Sequence, residues 1–288
     1  MIDLVTIVFK EELDYLRTQA ESVSLYVPVV NNIYVIVNDD DDVCTLINTA
    51  WWGQHSGRVK IIPYSTWKYK SNVLGWENQQ LCKLLAARDA ESSWSMSLDS
   101  KTWFVQTLDY NKLFDSMGRA TMGTQKVVPV FQSSKEFVEK LFDVEMSSVI
   151  GPAGVPFMFH TDTVKSLFNE IDNFIEFFLT NVRYPNFLTE FYLYSGYVLR
   201  KCNSYETLYN KTHYYTCCNI ADFDVPEFDQ HFSRMSNEGR LLTASIHRRA
   251  YPLLSPEQLE LWAGFLSKRK LNTVSNWRQK WHSSLTLP

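Results

Sequence analysis

The chain has little of what punctuates or crosslinks a small fold. With 10 glycines and 10 prolines in 288 residues, it is neither collagen-like nor of low complexity. Its five cysteines (Cys44, Cys82, Cys202, Cys217 and Cys218) are odd in number, scattered and without a CxxC pair. That pattern argues against a zinc site or a disulfide framework and for reduced thiols. No apolar window reaches the length of a membrane-spanning helix. The run from Ile2 to Phe9 has no basic start, is interrupted at Asp3 and ends at Lys10-Glu11-Glu12, so it does not read as a signal peptide. These absences predict a soluble, cytoplasmic protein with no membrane partner. A GxGxxG fingerprint and a P-loop are also missing, which excludes the common glycine-built phosphate cradles.

What is present is a globular composition, 45% hydrophobic and 21% charged, with enough length for a sizeable core. Nine tryptophans, 15 tyrosines and 18 phenylalanines suit flat ligands such as sugars or bases, and suit a large core equally well. The net charge of -4 is unevenly spread. From Arg234 onward there are nine Lys or Arg and three acids, a balance of +6, which leaves -10 on residues 1–233. This basic stretch includes Arg248 and Arg249 and is interleaved with Trp262, Trp277 and Trp281. Cations among flat rings suit phosphates and bases; a solvated helix face with tryptophans in the core accounts for the pattern too.

Hydrophobic periodicity predicts buried strands over residues 2–9, Ile33–Val37, Val59–Pro63 and Trp94–Leu98, with helices over Glu11–Ser24 and residues 74–89. This order describes an open α/β sheet with crossover helices, in which ligands bind at the carboxyl ends of strands. Polar residues fall at those ends: Thr6 and Lys10, Asn38 to Asp40, and Asp99. Further on, Lys126–Phe131 reads as a strand, and Ser133 with Glu136 as a capping box. Thr161 reads as a helix cap, and Ser255-Pro256-Glu257-Gln258 as a capped helix start. No internal repeat is present. The simplest division is a catalytic-type domain over 1–254 and a basic, Trp-containing helical extension over 255–288.

The sharpest local signal is Asp99, at the end of a buried strand, followed by Ser100-Lys101-Thr102-Trp103-Phe104. A carboxylate there is held rigidly at the ligand edge, where it can hold a divalent cation or a donor ribose; a strand-ending Asp that caps a turn would look the same. The segment Leu98-Asp99-Ser100-Lys101 resembles the DxD region of GT-A glycosyltransferases. Gly75-Trp76-Glu77-Asn78-Gln79-Gln80-Leu81-Cys82-Lys83-Leu84 is similar to the "GWxxQQLxKL" helix of a GT-A-like family found in bacteria and tailed phages. Thr189-Glu190-Phe191-Tyr192-Leu193-Tyr194-Ser195-Gly196 and Ser245-Ile246-His247 resemble two later elements of that family, in the same order.

The resemblance implies a GT-A-like open mixed sheet flanked by helices, and sugar transfer from a nucleoside diphosphate donor. Thr6, Phe9, Lys10, Asn38 and Asp39 would border the nucleoside, while Gln79, Gln80 and Lys83 would line the donor site. Asp99 and His247 would hold Mn²⁺ or Mg²⁺ at the diphosphate. Glu190 would be the base, or would bind an acceptor hydroxyl, or would pair with Arg183 or Arg200. His160, Tyr192, Arg248 and Arg249 are the candidate acceptor contacts. Lys101 stands where the second acid of DxD belongs; as an ammonium it repels a metal. It would contact the diphosphate beside a metal, replace the metal, or face solvent. The acceptor expected first is the hydroxymethyl group of a modified cytosine in DNA, with a surface polysaccharide or lipid-linked glycan as the alternative. A non-catalytic nucleotide- or nucleic-acid-binding protein is the other class.

Overall fold

The structure, a computed structural model, describes residues 1–69, 75–151, 154–212, 215–237 and 239–271. In chain order these form β1 (Asp3–Val8), α1 (Leu13–Tyr26), β2 (Ile33–Val37), β3 (Val59–Pro63), α2 (Trp76–Asp89), β4 (Trp94–Asp99), β5 (Thr102–Phe104) and α3 (Tyr110–Leu113). There follow β6 (Thr124–Lys126), α4 (Gln132–Phe142), β7 (Ser148–Ile150), β8 (Phe157–His160), α5 (Thr161–Glu170), α6 (Phe174–Asn181) and α7 (Glu190–Cys202). The last elements are β9 (Thr216–Ile220), α8 (Phe228–Asn237), β10 (Leu241–Ile246) and α9 (Pro256–Ser267). Among the described residues no helix is long and apolar enough to cross a membrane.

The main sheet runs β3-β2-β1-β4-β8, with the first four strands parallel and β8 antiparallel to β4. Every residue of β1 and β2 is buried because both faces of the sheet are covered. Alternation along β1 sends Val5 and Ile7 toward Cys82 and Ala86 of α2. Leu4 and Val8 join the large cluster that holds Leu16, Ala20 and Val23 of α1. From β1 the chain moves outward through β2 to β3, then returns to the other side of β1 as β4. The carboxyl ends of β1 and β4 therefore flank the point where strand order reverses, the place where open α/β sheets form a crevice.

A second sheet, β5-β10-β9, extends from the end of β4. It has β5 antiparallel and β9 parallel to β10, with Thr102 beside Ser245. Its core gathers Trp103, Phe228, Leu241, Tyr251, Trp262, Phe265 and Leu266. The segment expected as an extension from residue 255 thus begins with a helix, α9, whose Trp262, Phe265 and Leu266 belong to this core, with Trp262 against Trp103 of β5. Trp262 is only 1% exposed, so it packs in the core and is not available to stack on a base. Trp277 and Trp281 lie outside the described residues.

Several local expectations need correction. Of the expected strand Lys126–Phe131 only Lys126 belongs to a strand, as the last residue of β6; Pro129–Phe131 is a 3-10 turn, since Pro129 has no N–H for a ladder. Ser133 lies inside α4, whose N-terminal flank is Phe131 with no side-chain cap. Thr161 is the first residue of α5, and its hydroxyl donates to the Ser92 carbonyl at 2.7 Å. The Ser255–Gln258 capping box forms as expected, with reciprocal bonds of 3.0 and 3.2 Å.

Candidate functional site

Asp99 pairs in register with Ile7, so its side chain points to the face covered by α2. Gln79 and Lys83, one helical turn apart, meet it there. Asp99 Oδ1 accepts from Gln79 Nε2 at 2.7 Å and lies 3.0 Å from Lys83 Nζ. Its Oδ2 accepts from Lys101 Nζ at 3.1 Å. Lys101 therefore does not face solvent; its side chain is 16% exposed. Lys83 is also 3.2 Å from Glu190 Oε1 and sits over the Phe191 ring, 5.2 Å from its centroid. Glu190 begins α7, capped by the Thr189 hydroxyl, which accepts from the Tyr192 N–H.

The electrostatics follow from burial against pairing. Burial works against the charge of Asp99, but Lys101 and Lys83 outweigh it and hold its carboxyl well below the usual range. Burial likewise works against Lys83, yet Asp99 and Glu190 raise it above the ordinary lysine range. Glu190 goes the other way: burial is its largest influence and lifts it, with Lys83 only partly offsetting. Its side chain is 3% exposed. In this conformation Glu190 braces Lys83 from behind and presents no carboxylate oxygen to an acceptor, and its partner is Lys83 in place of Arg183 or Arg200.

Two residues that sequence reasoning missed hold the turn between β4 and β5. Gln19 Nε2 of α1 donates to the carbonyls of Asp99 at 2.6 Å and Thr102 at 2.9 Å, bracketing the turn. Ser100 Oγ donates to Glu12 Oε2 at 2.5 Å. The available signal was a polar Gln19 on the otherwise apolar face of Leu16, Ala20 and Val23.

The remaining expected residues divide into three groups. Phe9, Lys10, Asn38 and Asp39 do lie at the carboxyl ends of β1 and β2, on the same sheet edge as Asp99. The Lys10 backbone N–H donates to Asp39 Oδ2 at 2.9 Å, which ties these two ends together. Asn38 is spent on structure: its amide bonds the Gly75 carbonyl and the Asn78 side chain. Thr6 and Gln80 are 1% exposed and enclosed beneath the edge, with no hydrogen-bond partner for Thr6 Oγ1 or the Gln80 amide among the described residues.

A second group is misplaced. His160 pairs with Trp94, the first residue of β4, so it sits at the far end of the strand from Asp99. Five residues at about 3.3 Å each put it about 16 Å away along the strand. There it packs edge-on to Trp94 and bonds Thr163. Tyr192 is fully buried; its hydroxyl accepts from the Val128 N–H and its ring packs on Phe131.

The third group follows β10. Thr102 lies opposite Ser245 in the antiparallel β5–β10 pair, so the turn that carries Lys101 leaves β5 at the end of β10 that leads to His247. His247 is pulled down to about 4, first by burial, then by Lys101 and Arg249, with a smaller push from Arg248. Its Nδ1 accepts from the Arg249 N–H at 3.3 Å. Arg248 and Arg249 are exposed, and Arg249 lies 3.6 Å from Asp222.

The metal expected between Asp99 and His247 does not fit these donors. Both carboxylate oxygens of Asp99 are directed at ammonium groups, and a divalent ion there would sit beside Lys83 and Lys101. The Nδ1 lone pair of His247 is engaged by the Arg249 N–H at 3.3 Å. Among the described residues no three His, Cys, Asp or Glu side chains gather as a ligand set.

The architecture, a mixed α/β sheet flanked by helices with its crevice at the β1–β4 reversal, is the GT-A glycosyltransferase fold. The galactosyltransferase LgtC, solved in complex with donor and acceptor sugar analogues, superimposes with a TM-score of 0.51. It shares 12% identity over 91% of this chain and 96% of its own. The bifunctional glycosyltransferase WbbM, solved in its apo form, gives a TM-score of 0.50 at 10% identity, over 98% of this chain and 51% of its own. This chain thus spans about half of WbbM. By sequence the chain belongs to DUF6492, a family of unknown function, whose model matches residues 12–224. No curated protein matches it.

Proposed function

We propose that the protein transfers a sugar from a nucleoside diphosphate donor to a hydroxyl acceptor at the crevice between β1 and β4. The observation that carries this reading is Asp99 at the end of β4, locked by Gln79, Lys83 and Lys101 on the ligand edge of a GT-A fold. A site so pre-organised loses little on reorganisation as charge develops. In this reading Phe9, Lys10 and Asp39 border the nucleoside, and Asp99 orients the donor. Glu190 positions Lys83.

A sugar hydroxyl is the acceptor class that the likeness to LgtC favours, since that enzyme was solved with an acceptor sugar analogue. The hydroxymethyl group of a modified cytosine in DNA is the second acceptor, favoured by the +6 balance from Arg234 onward. Its support is reduced by the burial of Trp262. The test is a panel of nucleotide sugars, each offered with oligosaccharides, plain DNA and hydroxymethylated DNA, with products read by mass. Donor-dependent mass gain is expected, and Asp99→Asn should lower it by about 10²-fold or more while leaving the circular dichroism spectrum unchanged. Near-normal turnover by folded Asp99→Asn would remove the assigned site, and no turnover or hydrolysis of any donor would leave a non-catalytic binding protein.

A further inference from the structure

The residues that a GT-A metal site requires are present here in a form that rejects a metal, and the same residues make a different site. Lys101 takes the place of the second acid and is anchored on Asp99 by a 3.1 Å ion pair. Gln19 and Glu12 fix the turn that carries it. The β5–β10 pairing puts Thr102, which follows Lys101, opposite Ser245, two residues before His247. Arg248 and Arg249 follow His247 and are exposed; the Arg249 N–H donates to His247 Nδ1 at 3.3 Å, and the Arg249 side chain lies 3.6 Å from Asp222. Lys101 thus precedes β5 beside Asp99, and His247, Arg248 and Arg249 follow the end of β10 that pairs with β5.

We infer that Lys101, His247, Arg248 and Arg249 form a metal-independent binding site for a diphosphate, with Lys101 occupying the position of the divalent ion. This deepens the proposed function and rests on it for the nucleoside half of the ligand. The role of Asp99 changes accordingly. It orients an ammonium where a metal-dependent enzyme would orient a metal. Arg presents a planar fork suited to phosphate oxygens and Lys a compact point charge, so the cluster covers both kinds of contact.

The experiment is calorimetric titration of the full chain with pyrophosphate and with UDP, GDP, CDP and ADP, in excess chelator and again with Mn²⁺ or Mg²⁺. Pyrophosphate and one nucleoside diphosphate are expected to bind in chelator, with affinity changing less than about threefold when metal is added. Lys101→Met should weaken both by about tenfold or more, and Lys101→Arg should keep binding within a few-fold, which separates lost charge from lost fold. Affinity should fall as salt rises. Binding that appears only with Mn²⁺ or Mg²⁺, or that Lys101→Met leaves unchanged, would overturn the inference while leaving a nucleotide-dependent function intact. Pyrophosphate binding in chelator without binding of any nucleoside diphosphate would support the anion site and sink the donor reading. Failure of pyrophosphate and of all four nucleotides under both conditions would overturn both.

Discussion

Replacing Lys83 by methionine removes one ammonium from between two buried carboxylates and keeps most of the side-chain volume. Asp99 retains Lys101 and Gln79, so its loss is confined to one contact of about 1 kcal/mol. Glu190 has no such reserve: it is 2% exposed and its ion-pair partner is Lys83, at 3.2 Å. A carboxylate left this way either stays charged in the interior or takes up a proton, and the cheaper course sets the cost. Protonating a glutamate of ordinary pKa costs about 3.7 kcal/mol at pH 7 and about 1 kcal/mol at pH 5.

Lys83→Met is therefore expected to lose about 4 to 5 kcal/mol at pH 7, in line with other broken buried pairs, and less than half of that near pH 5. The sign follows from linkage. A carboxyl whose folded pKa is raised destabilises the fold above its unfolded value, and the penalty fades as pH falls toward about 4.3. Glu190 is already raised in the native protein, and the variant raises it further. Urea unfolding of the native protein and the variant, at about pH 7 and about pH 5, measures the gap. Lys83→Met with Glu190→Gln should recover most of the loss at neutral pH. A gap of equal size at both pH values, or no recovery in the double variant, would refute the view of Lys83 and Glu190 as a mutually dependent buried pair.

Three further outcomes are expected. His247 has its folded pKa depressed to about 4, so it contributes stability above its unfolded pKa of about 6.5 that is lost as pH falls toward 4; His247→Gln should flatten that part of the melting-temperature profile, and an unchanged acid limb would contradict it. Gly196 lets α7 approach α4 so closely that a Cβ would lie 2.1 Å from Val138 Cγ1, so Gly196→Ala should cost about 1–3 kcal/mol by thermal melt, with Val138→Ala as partial rescue. Asp3 is fully buried and accepts from the Asn31 and Asn32 side chains and from the N–H groups of Asn32, Glu91 and Ser92. Asp3→Asn turns one acceptor into a donor among these donors and should destabilise the chain by about 2–3 kcal/mol in urea unfolding.

Much of the sheet was legible in local pattern. Mostly apolar runs marked β1, β2, β3 and β4 nearly to the residue, because strands with covered faces favour apolar side chains. Their polar ends placed Lys10, Asp39 and Asp99 on one edge, since parallel strands joined by crossover helices share a carboxyl end. The family resemblance, and not helical spacing, named Gln79 together with Lys83 for one target. Tertiary structure alone decided what that target was and what lay behind it. Glu190 meets Lys83 because α7 packs against α2, and His247 meets the Lys101 turn because β10 pairs with β5. Such pairing is made by backbone groups that every residue carries, so no side-chain pattern specifies the partner. The same indifference misled the reading of His160: its sequence reads as a strand end near the site, but β8 runs antiparallel and delivers it to the opposite end of β4. Trp262 met a similar fate, its ring claimed by the core of the second sheet because the apolar area of an indole is worth more buried than left beside a basic tail.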